Sequence, residues 1–535
     1  MSERGAGESA GRPTRGADES AGPLTRGPDE GRTPPSVMAN RWGRRTFVAA
    51  LGVAAVGWAA AGPAAASEYA DVVNVVDEGA DDTGGESITP VLYRCRRKYG
   101  DDTLLTFPDG TYFMDAQFRF TGFTRFGLTG PGATIVPADY YGFDGPQYRL
   151  FRLGTNDDPG RNLQFEGFTV DQTAKDTGIR VLETVVHDGL AVSDITVTGF
   201  HDSGTWGPAR FCVTDPGGSG TVTRFKAPDG GEKSVNAPGD LDRGPTGILI
   251  SRSHRGTIEL RDCVLGGFPD NGLYGTSDGT IRVVGGHYEN SDTASIRLRG
   301  YDCLVKDATV TVDANPQGFA NQRGIRLDAG TGFRLSNVTI DLAKPNGHAV
   351  TLMDHVGRTR IEDSAITVGD RVNHGIVVES GANATAIVDT DVKLAGGGNA
   401  VHIEDGDGAV VCERMIISGM ASGATFRHAI RCNRDGCEFR GLEIWQPGPH
   451  KRRAIVFNGD DCLLYDSLCK VRQIPVLVNG TGAWIEANDL ESYDDWPAIK
   501  LADTSADVTI KDNTLKNGVL NDGSSGLRMY GNDVI

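Results

Sequence analysis

The sequence predicts an all-β chain wound as a single-stranded right-handed parallel β-helix, a solenoid opened by a short N-terminal capping helix. Three observations predict it. A small residue followed by an aliphatic one recurs down the C-terminal half: Gly247-Ile248, Gly272-Leu273, Ser295-Ile296, Gly324-Ile325, Ala349-Val350, Gly375-Ile376, Ala400-Val401, Ala429-Ile430, Ala454-Ile455, Pro475-Val476, Ala498-Ile499 and Gly518-Val519, at steps of 20 to 29 residues. Repeats of that length are stacked supersecondary units, each resting on its neighbours. Two or three period-two runs follow in each unit, and no helical stretch separates one unit from the next.

Each anchor pair opens a strand, as in Ile325-Arg326-Leu327-Asp328, Val350-Thr351-Leu352-Met353 and Val401-His402-Ile403-Glu404. Alternation puts the aliphatic residue and its second neighbour on one face and the intervening residue on the other. A second strand follows, as in Phe333-Arg334-Leu335 and Arg360-Ile361-Glu362. It ends at Asp or Asn: Asp262, Asp307, Asn337, Asp363, Asp389, Asp466, Asn488 and Asn513. Those side chains bond nearby backbone amides and tolerate left-handed geometry, so they suit tight corners. Turns of such a coil lie about 4.8 Å apart. Leucine-rich repeats share the period, but their Leu-x-x-Leu-x-Leu consensus is absent. Upstream, residues 86–99 form a short amphipathic helix. Leu104 to Met114 reads as a strand, a Pro-Asp-Gly turn and another strand. Residues 205–245, rich in Pro and Gly, read as one long loop inserted in the coil.

Asn74-Val75-Val76-Asp77-Glu78-Gly79-Ala80 and Phe107-Pro108-Asp109-Gly110-Thr111-Tyr112 resemble the opening strand and the hairpin of the pectate-lyase-like β-helix superfamily. The resemblance covers roughly residues 71–535. It implies the fold. For activity it leaves lyases, hydrolases, epimerases and non-enzymatic tailspikes and adhesins open.

Residues 1–37 are low complexity and cannot bury apolar surface, so disorder is expected there. Residues 38–66 contain Gly43-Arg44-Arg45-Thr46-Phe47-Val48, an apolar run to Ala61 and Ala64-Ala65-Ala66 before Ser67. That is a twin-arginine signal with a cleavage site, and it implies the Tat translocase as an export partner. The apolar run is short of the ~20 residues that span a bilayer, so the mature form, residues 67–535, is expected to be secreted or at the cell surface without a stable membrane span. The chain carries a net charge of −18, and 12 of its 53 basic residues are lysine. Acidity with few lysines resembles haloarchaeal proteins and argues for a halophilic setting. It also argues against nucleic acid as a partner. Nine cysteines in 535 residues do not make a disulfide framework. Most read as small apolar filler, with a Cys437–Cys462 bridge as the candidate pair.

Aligning the units on the anchor turns the chain into columns. The residue before the small one is polar or basic through Arg323, His348, His374, Asn399, His428 and Arg453. The residue after the aliphatic one includes Arg297, Arg326, His402 and Arg431. Two further on come Asp328, Glu379 and Glu404. All three columns are expected to face outward from one sheet, within a patch of about four turns. This pattern supports an enzyme on an extracellular acidic polysaccharide, by β-elimination, with a base beside an arginine that neutralises a uronate. His374, His402, Arg326, Arg431, Glu379 and Glu404 are the catalytic candidates. Arg323, His348, His428, Arg297, Asp328 and Arg453 are the substrate-binding candidates. Two alternatives stay open: a non-catalytic glycan-binding or adhesion coil, and a glycoside hydrolase using Asp328, Glu379 and Glu404. The polygalacturonase motifs occur in the wrong order, and the Asp-Pro-His-Glu signature of mannuronan epimerases is missing. The cofactor is left open. Ca2+ is its one candidate, through turns such as Asp405-Gly406-Asp407-Gly408.

Overall fold

The computed structural model describes residues 69–145, 148–242, 244–422 and 428–535. The low-complexity segment 1–37 and the export signal 38–66 lie outside the described residues. From Asp71 onward the chain winds as a parallel β-helix, and Thr89–Tyr99 is the one α-helix among the described residues. Sixteen strands, from Phe118–Phe120 to Val519–Asn521, stack in one parallel ladder. Two further ladders complete each turn. They meet where the long strands Leu190–Thr198 and Ser219–Ala227 take part in both.

The anchor pairs form the spine of the sixteen-stranded ladder. Ile296, Ile325, Val350, Ile376, Val401, Ile430, Ile455, Val476 and Ile499 stand in register. All nine are fully buried. The smallness of the preceding residue has a separate cause. A Cβ on Gly247, Gly272, Gly324 or Gly375 would lie 2.5–2.6 Å from the carbonyl oxygen of the next turn's small residue. Ala349 and Ala400 show that one methyl is accommodated. A branched side chain has nowhere to go, because the sheet spacing is set by hydrogen bonds.

The corners follow the expected chemistry at Asp262, Asp307, Asn337, Asp363, Asp389 and Asp466, whose φ angles are +48° to +55°. Asn488 and Asn513 differ. There the left-handed residue is the preceding Ala487 or Asp512. The two amides are buried instead and stack as a ladder, with Asn488 Nδ2 donating to Asn513 Oδ1 and Asn513 Nδ2 to Asn532 Oδ1, both at 2.9 Å. A primary amide both donates and accepts, so identical neighbours one turn apart satisfy each other inside the core.

The helix lies at the N-terminal end, burying Val91, Leu92 and Cys95. Tyr93 meets Phe118 edge-on at 5.3 Å. Gly100 ends the helix at φ 71°, its N–H bonded to Arg96 O at 3.0 Å.

Three sequence expectations are corrected. The strands Thr103–Thr106 and Gly110–Met114 do not pair as a hairpin. The first pairs with Asp71–Asn74 and Phe126–Thr129, the second with Thr83–Ser87 and Ala133–Pro137, always in parallel. The Pro-Asp-Gly turn is therefore a corner of the coil. Segment 205–245 is not one loop, because Ala209–Phe211 and Ser219–Ala227 are ladder strands. Gly-rich corners on both sides hid their alternation. The Cys437–Cys462 pair is not bonded: all nine cysteines are free and buried, and Cys432 Sγ lies 3.9 Å from Cys462 Sγ. Among the described residues no helix is long and apolar enough to cross a membrane.

The anchor constraint predicts that Gly375→Val lowers folding stability by about 1–3 kcal/mol through overpacking. Gly375→Ala, whose single methyl would meet Ala400 O at 2.6 Å, should cost less, about 1 kcal/mol. Chemical denaturation midpoints measure both.

Candidate functional site

The outward column runs Tyr274, Arg297, Arg326, Thr351, Val377, His402, Arg431 in continuous register. Five steps from Arg297 to Arg431 span about 24 Å at ~4.8 Å each. Thr351 and Val377 are 1% and 5% exposed. The column is thus covered in its middle, and it separates an arginine-rich groove from an imidazole cluster.

In the groove, Arg297 Nε and Arg326 Nε grip opposite oxygens of Asp328 at 2.6 and 2.5 Å. The Arg297 guanidinium also stacks 4.3 Å from the Tyr274 ring centre. The triad keeps one positive charge and further guanidinium N–H donors for a ligand. The groove holds about 660 Å3 and is also lined by Arg252, Arg255, Arg299, Asp354 and His355. Of these, Arg299 shares a column with Asp328 in the sequence alignment, but a register shift in the strand pair sets it against Ala329 instead. Arg252, Arg255 and Tyr274 were missed, and only Tyr274 stood in an aligned column.

From Asp354 in the groove wall the carboxylates continue to Glu379 and Glu404. Burial first, then Asp354 and Glu404, push the Glu379 carboxyl up. Glu379 and Glu404 sit on consecutive turns, with their backbones bonded to Leu352 O and Val378 O at 3.0 Å. Arg434, 1% exposed, fixes both. It donates to the carbonyls of Glu379, Ser380, Ala382, Glu404, Asp407 and Gly408 at 2.6 to 3.3 Å. This residue was also missed: nothing in the Asn433-Arg434-Asp435-Gly436 corner marks its side chain as pointing inward. The Asp407 and Gly408 carbonyls of the proposed Ca2+ turn are thereby engaged by a guanidinium. Among the described residues no group of three or more His, Cys, Asp or Glu side chains is placed to hold a metal ion.

The histidines form a stack rather than an exposed ridge. His348 and His374 stack at 4.7 Å, and His374 and His402 at 4.9 Å. His374 is only 7% exposed. The His374 backbone N–H donates to His348 Nδ1 at 3.0 Å, and the Asn399 N–H to His374 Nδ1 at 2.9 Å. A backbone N–H can only donate, so both rings carry their proton on Nε2. Burial, with nearby Arg323 for His348 and His348 for His374, pulls them down to about 4 and about 3. His402 has the opposite tautomer. Asn399 Nδ2 donates to His428 O at 2.5 Å, which aims Asn399 Oδ1 at His402 Nδ1, 3.0 Å away. His402 Nδ1 is therefore the donor, and its lone pair lies on Nε2. Burial and Arg431 lower its pKa, so the ring is neutral at neutral pH.

The other candidates flank these groups. Arg323 is half-buried, and burial lowers its pKa. Arg431 adjoins His402 in register and donates to Asn433 Oδ1 at 3.1 Å. His428 and Arg453 pair beyond it, with Arg453 Nε donating to Gln473 Oε1 at 3.2 Å. The structure thus brings together Arg297, Arg326 and Asp328 in one place and His348, His374, His402 and Arg431 in another. Glu379 and Glu404 lie between them.

No family model and no curated relative matches the chain. Solved structures do. A surface adhesin of Streptococcus pneumoniae is 11% identical, with 87% of this chain and 100% of that one covered at a TM-score of 0.32. The A-module of a mannuronan C-5 epimerase from Azotobacter vinelandii is 11% identical, with 86% and 99% covered at 0.35. A tailspike protein variant of an E. coli bacteriophage is 11% identical, with 87% and 81% covered at 0.40. Likenesses of this size carry no argument about what the present chain does.

Two outcomes follow. His348 and His374 take up protons less readily folded than unfolded, so the unfolded state binds more protons below the ordinary imidazole value of 6.5. Their contribution is complete above that value and is lost as pH falls toward 4 and then 3. The melting temperature should drop over that window, with a shallower slope in His374→Gln, as scanning calorimetry against pH measures. Arg434→Met strands buried carbonyls and should cost about 3–5 kcal/mol, read from urea denaturation.

Proposed function

We propose that the chain is an exported β-helix protein that acts on an acidic polysaccharide by β-elimination. The observation that carries this reading is the tautomer of His402: Asn399 holds the proton on Nδ1, so Nε2 presents a base beside Arg431. In this reading the Arg431 guanidinium neutralises a uronate carboxylate, which acidifies the adjacent C–H. His402 Nε2 takes that proton, the electron pair forms the C4=C5 double bond, and the C4–O bond breaks. Glu379, its carboxyl held protonated more readily by burial and like charges, returns a proton to the leaving oxygen. The Nδ1 lone pair of His374 accepts from the Asn399 backbone. Arg297, Arg326 and Asp328 hold the polymer further along the groove.

Secretion through the Tat translocase and a halophilic setting belong to the same proposal, supported by the signal-like segment 38–66 and the net charge of −18. A non-catalytic glycan-binding coil is the second reading. It is favoured by the locking of two imidazoles, His348 and His374, into backbone bonds.

Incubating the protein in high salt with pectate, alginate and other uronans, and following ultraviolet absorbance of the unsaturated product, separates the readings. Product should form, and His402→Ala should lower kcat by roughly 10²–10⁴-fold. Binding without product on every uronan selects the second reading. New reducing ends without unsaturation select hydrolysis by Glu379 and Glu404.

A further inference from the structure

Upstream of the groove, the same outward column runs Arg119, Arg152, Glu183, Arg210, Leu249, Tyr274, Arg297. Glu183 is 1% exposed, and four guanidiniums converge on it. Arg149 Nε and Arg180 Nη1 lie 2.7 and 2.8 Å from Oε2. Arg210 Nη1 and Arg152 Nε lie 3.2 and 3.6 Å from Oε1. Arg149 and Arg180 form the floor, with side chains 7% and 3% exposed, whereas Arg152 and Arg210 form a rim at 22% and 21%. Arg180 is anchored by a 3.0 Å bond to Gly207 O and sits 5.5 Å from the Trp206 ring centre. Arg210 Nη2 donates to Ser251 Oγ at 3.0 Å. Exposed Arg119 stands one turn beyond Arg152.

Arg149, Arg180 and Arg210 have Glu183 as the one carboxylate in these ion pairs, which leaves a surplus of two positive charges among those three. Burial pulls the Arg149 and Arg180 guanidiniums down to about 10. Arg149 Nη1 is buried without a hydrogen-bond partner among the described residues. A buried ionic group without its full counter-charge is strongly unfavourable. An ion pair that serves the fold needs one guanidinium, or two; here Arg152 and Arg210 add a rim that opens to solvent.

We propose that the Arg149, Arg152, Arg180 and Arg210 cluster is a binding site for an oxyanionic substituent of a glycan, a carboxylate or a sulfate ester, seated on the Arg152–Arg210 rim over Glu183. The inference rests on the reading that the ligand is an acidic polysaccharide. Arg210 lies three turns, or about 14 Å, from Arg297 at ~4.8 Å per turn. One polymer running along the coil axis therefore passes both this cluster and the groove. The donor set suits either oxyanion, because guanidinium forks pair bidentately with carboxylate and sulfate alike.

Calorimetric titration of the full chain tests this, with uronic acid oligosaccharides, a sulfated oligosaccharide on a neutral backbone, and the unsubstituted neutral oligosaccharide as probes. The double variant R152Q/R210Q should weaken one or both anionic probes at least tenfold and flatten the salt dependence of their binding. Its melting temperature should not fall, since the variant relieves like-charge repulsion. Which anionic probe responds identifies the oxyanion. Equal affinities of parent and variant for both anionic probes, or no preference of the parent for them over the neutral one, would overturn the proposal and leave the cluster a structural ion lock. His402→Ala keeps the two readings apart. Absence of elimination product with arginine-dependent binding sinks only the lyase reading, and product formation without arginine dependence sinks only this one.

Discussion

The rise of about 4.8 Å between parallel turns is the constraint on which the rest of this molecule depends. Backbone hydrogen bonds set it, and side chains adapt to it. Apolar residues comply by stacking aliphatic on aliphatic, as from Ile296 to Ile499. The small residue before each one complies by leaving room for the carbonyl of the next turn. Polar residues comply only where a group can satisfy a copy of itself or a backbone neighbour. That is why the core admits an amide ladder at Asn488, Asn513 and Asn532, and imidazoles that accept from the backbone at His348 and His374.

The same rise concentrates charge. Like groups on successive turns face each other at a distance where repulsion matters, so each charged column needs an answer. Asp328 answers Arg297 and Arg326 within the groove. Glu379, by its burial first and then by Asp354 and Glu404 beside it, holds its proton more tightly. Glu183 answers four arginines only in part. The unbalanced places are those where a ligand's charge has most to contribute. Arg434 serves a different end: it spends its donors on carbonyls from the two preceding turns and so holds the backbone of Glu379 and Glu404 in place.

Alignment on the anchor identified the columns, and the register confirms their membership from Leu273 to Val519. It misjudged their exposure. The column before the small residue sits at a corner of the coil, where side chains turn back onto the backbone, so His374 and Asn399 are buried rather than displayed. Thr351 and Val377 are covered although their neighbours in the column are not. Arg252, Arg255 and Arg434 lie in corners, which vary in length and escape any alignment on strands. The Glu183 cluster was missed because its anchors, before Gly247, lack the small-then-aliphatic pair that marks the later turns.

The sequence by itself determined the coil, its period, the parallel register of the anchor strands and the left-handed corners at Asp262, Asp307, Asn337, Asp363, Asp389 and Asp466, because each of these follows from a local pattern repeated turn after turn. Only the tertiary structure decided which polar side chains face a ligand and which serve the core. That choice depends on partners one and two turns away. Asn399 sets the proton of His402, the backbone of the next turn sets those of His348 and His374, and three successive turns deliver the four arginines around Glu183.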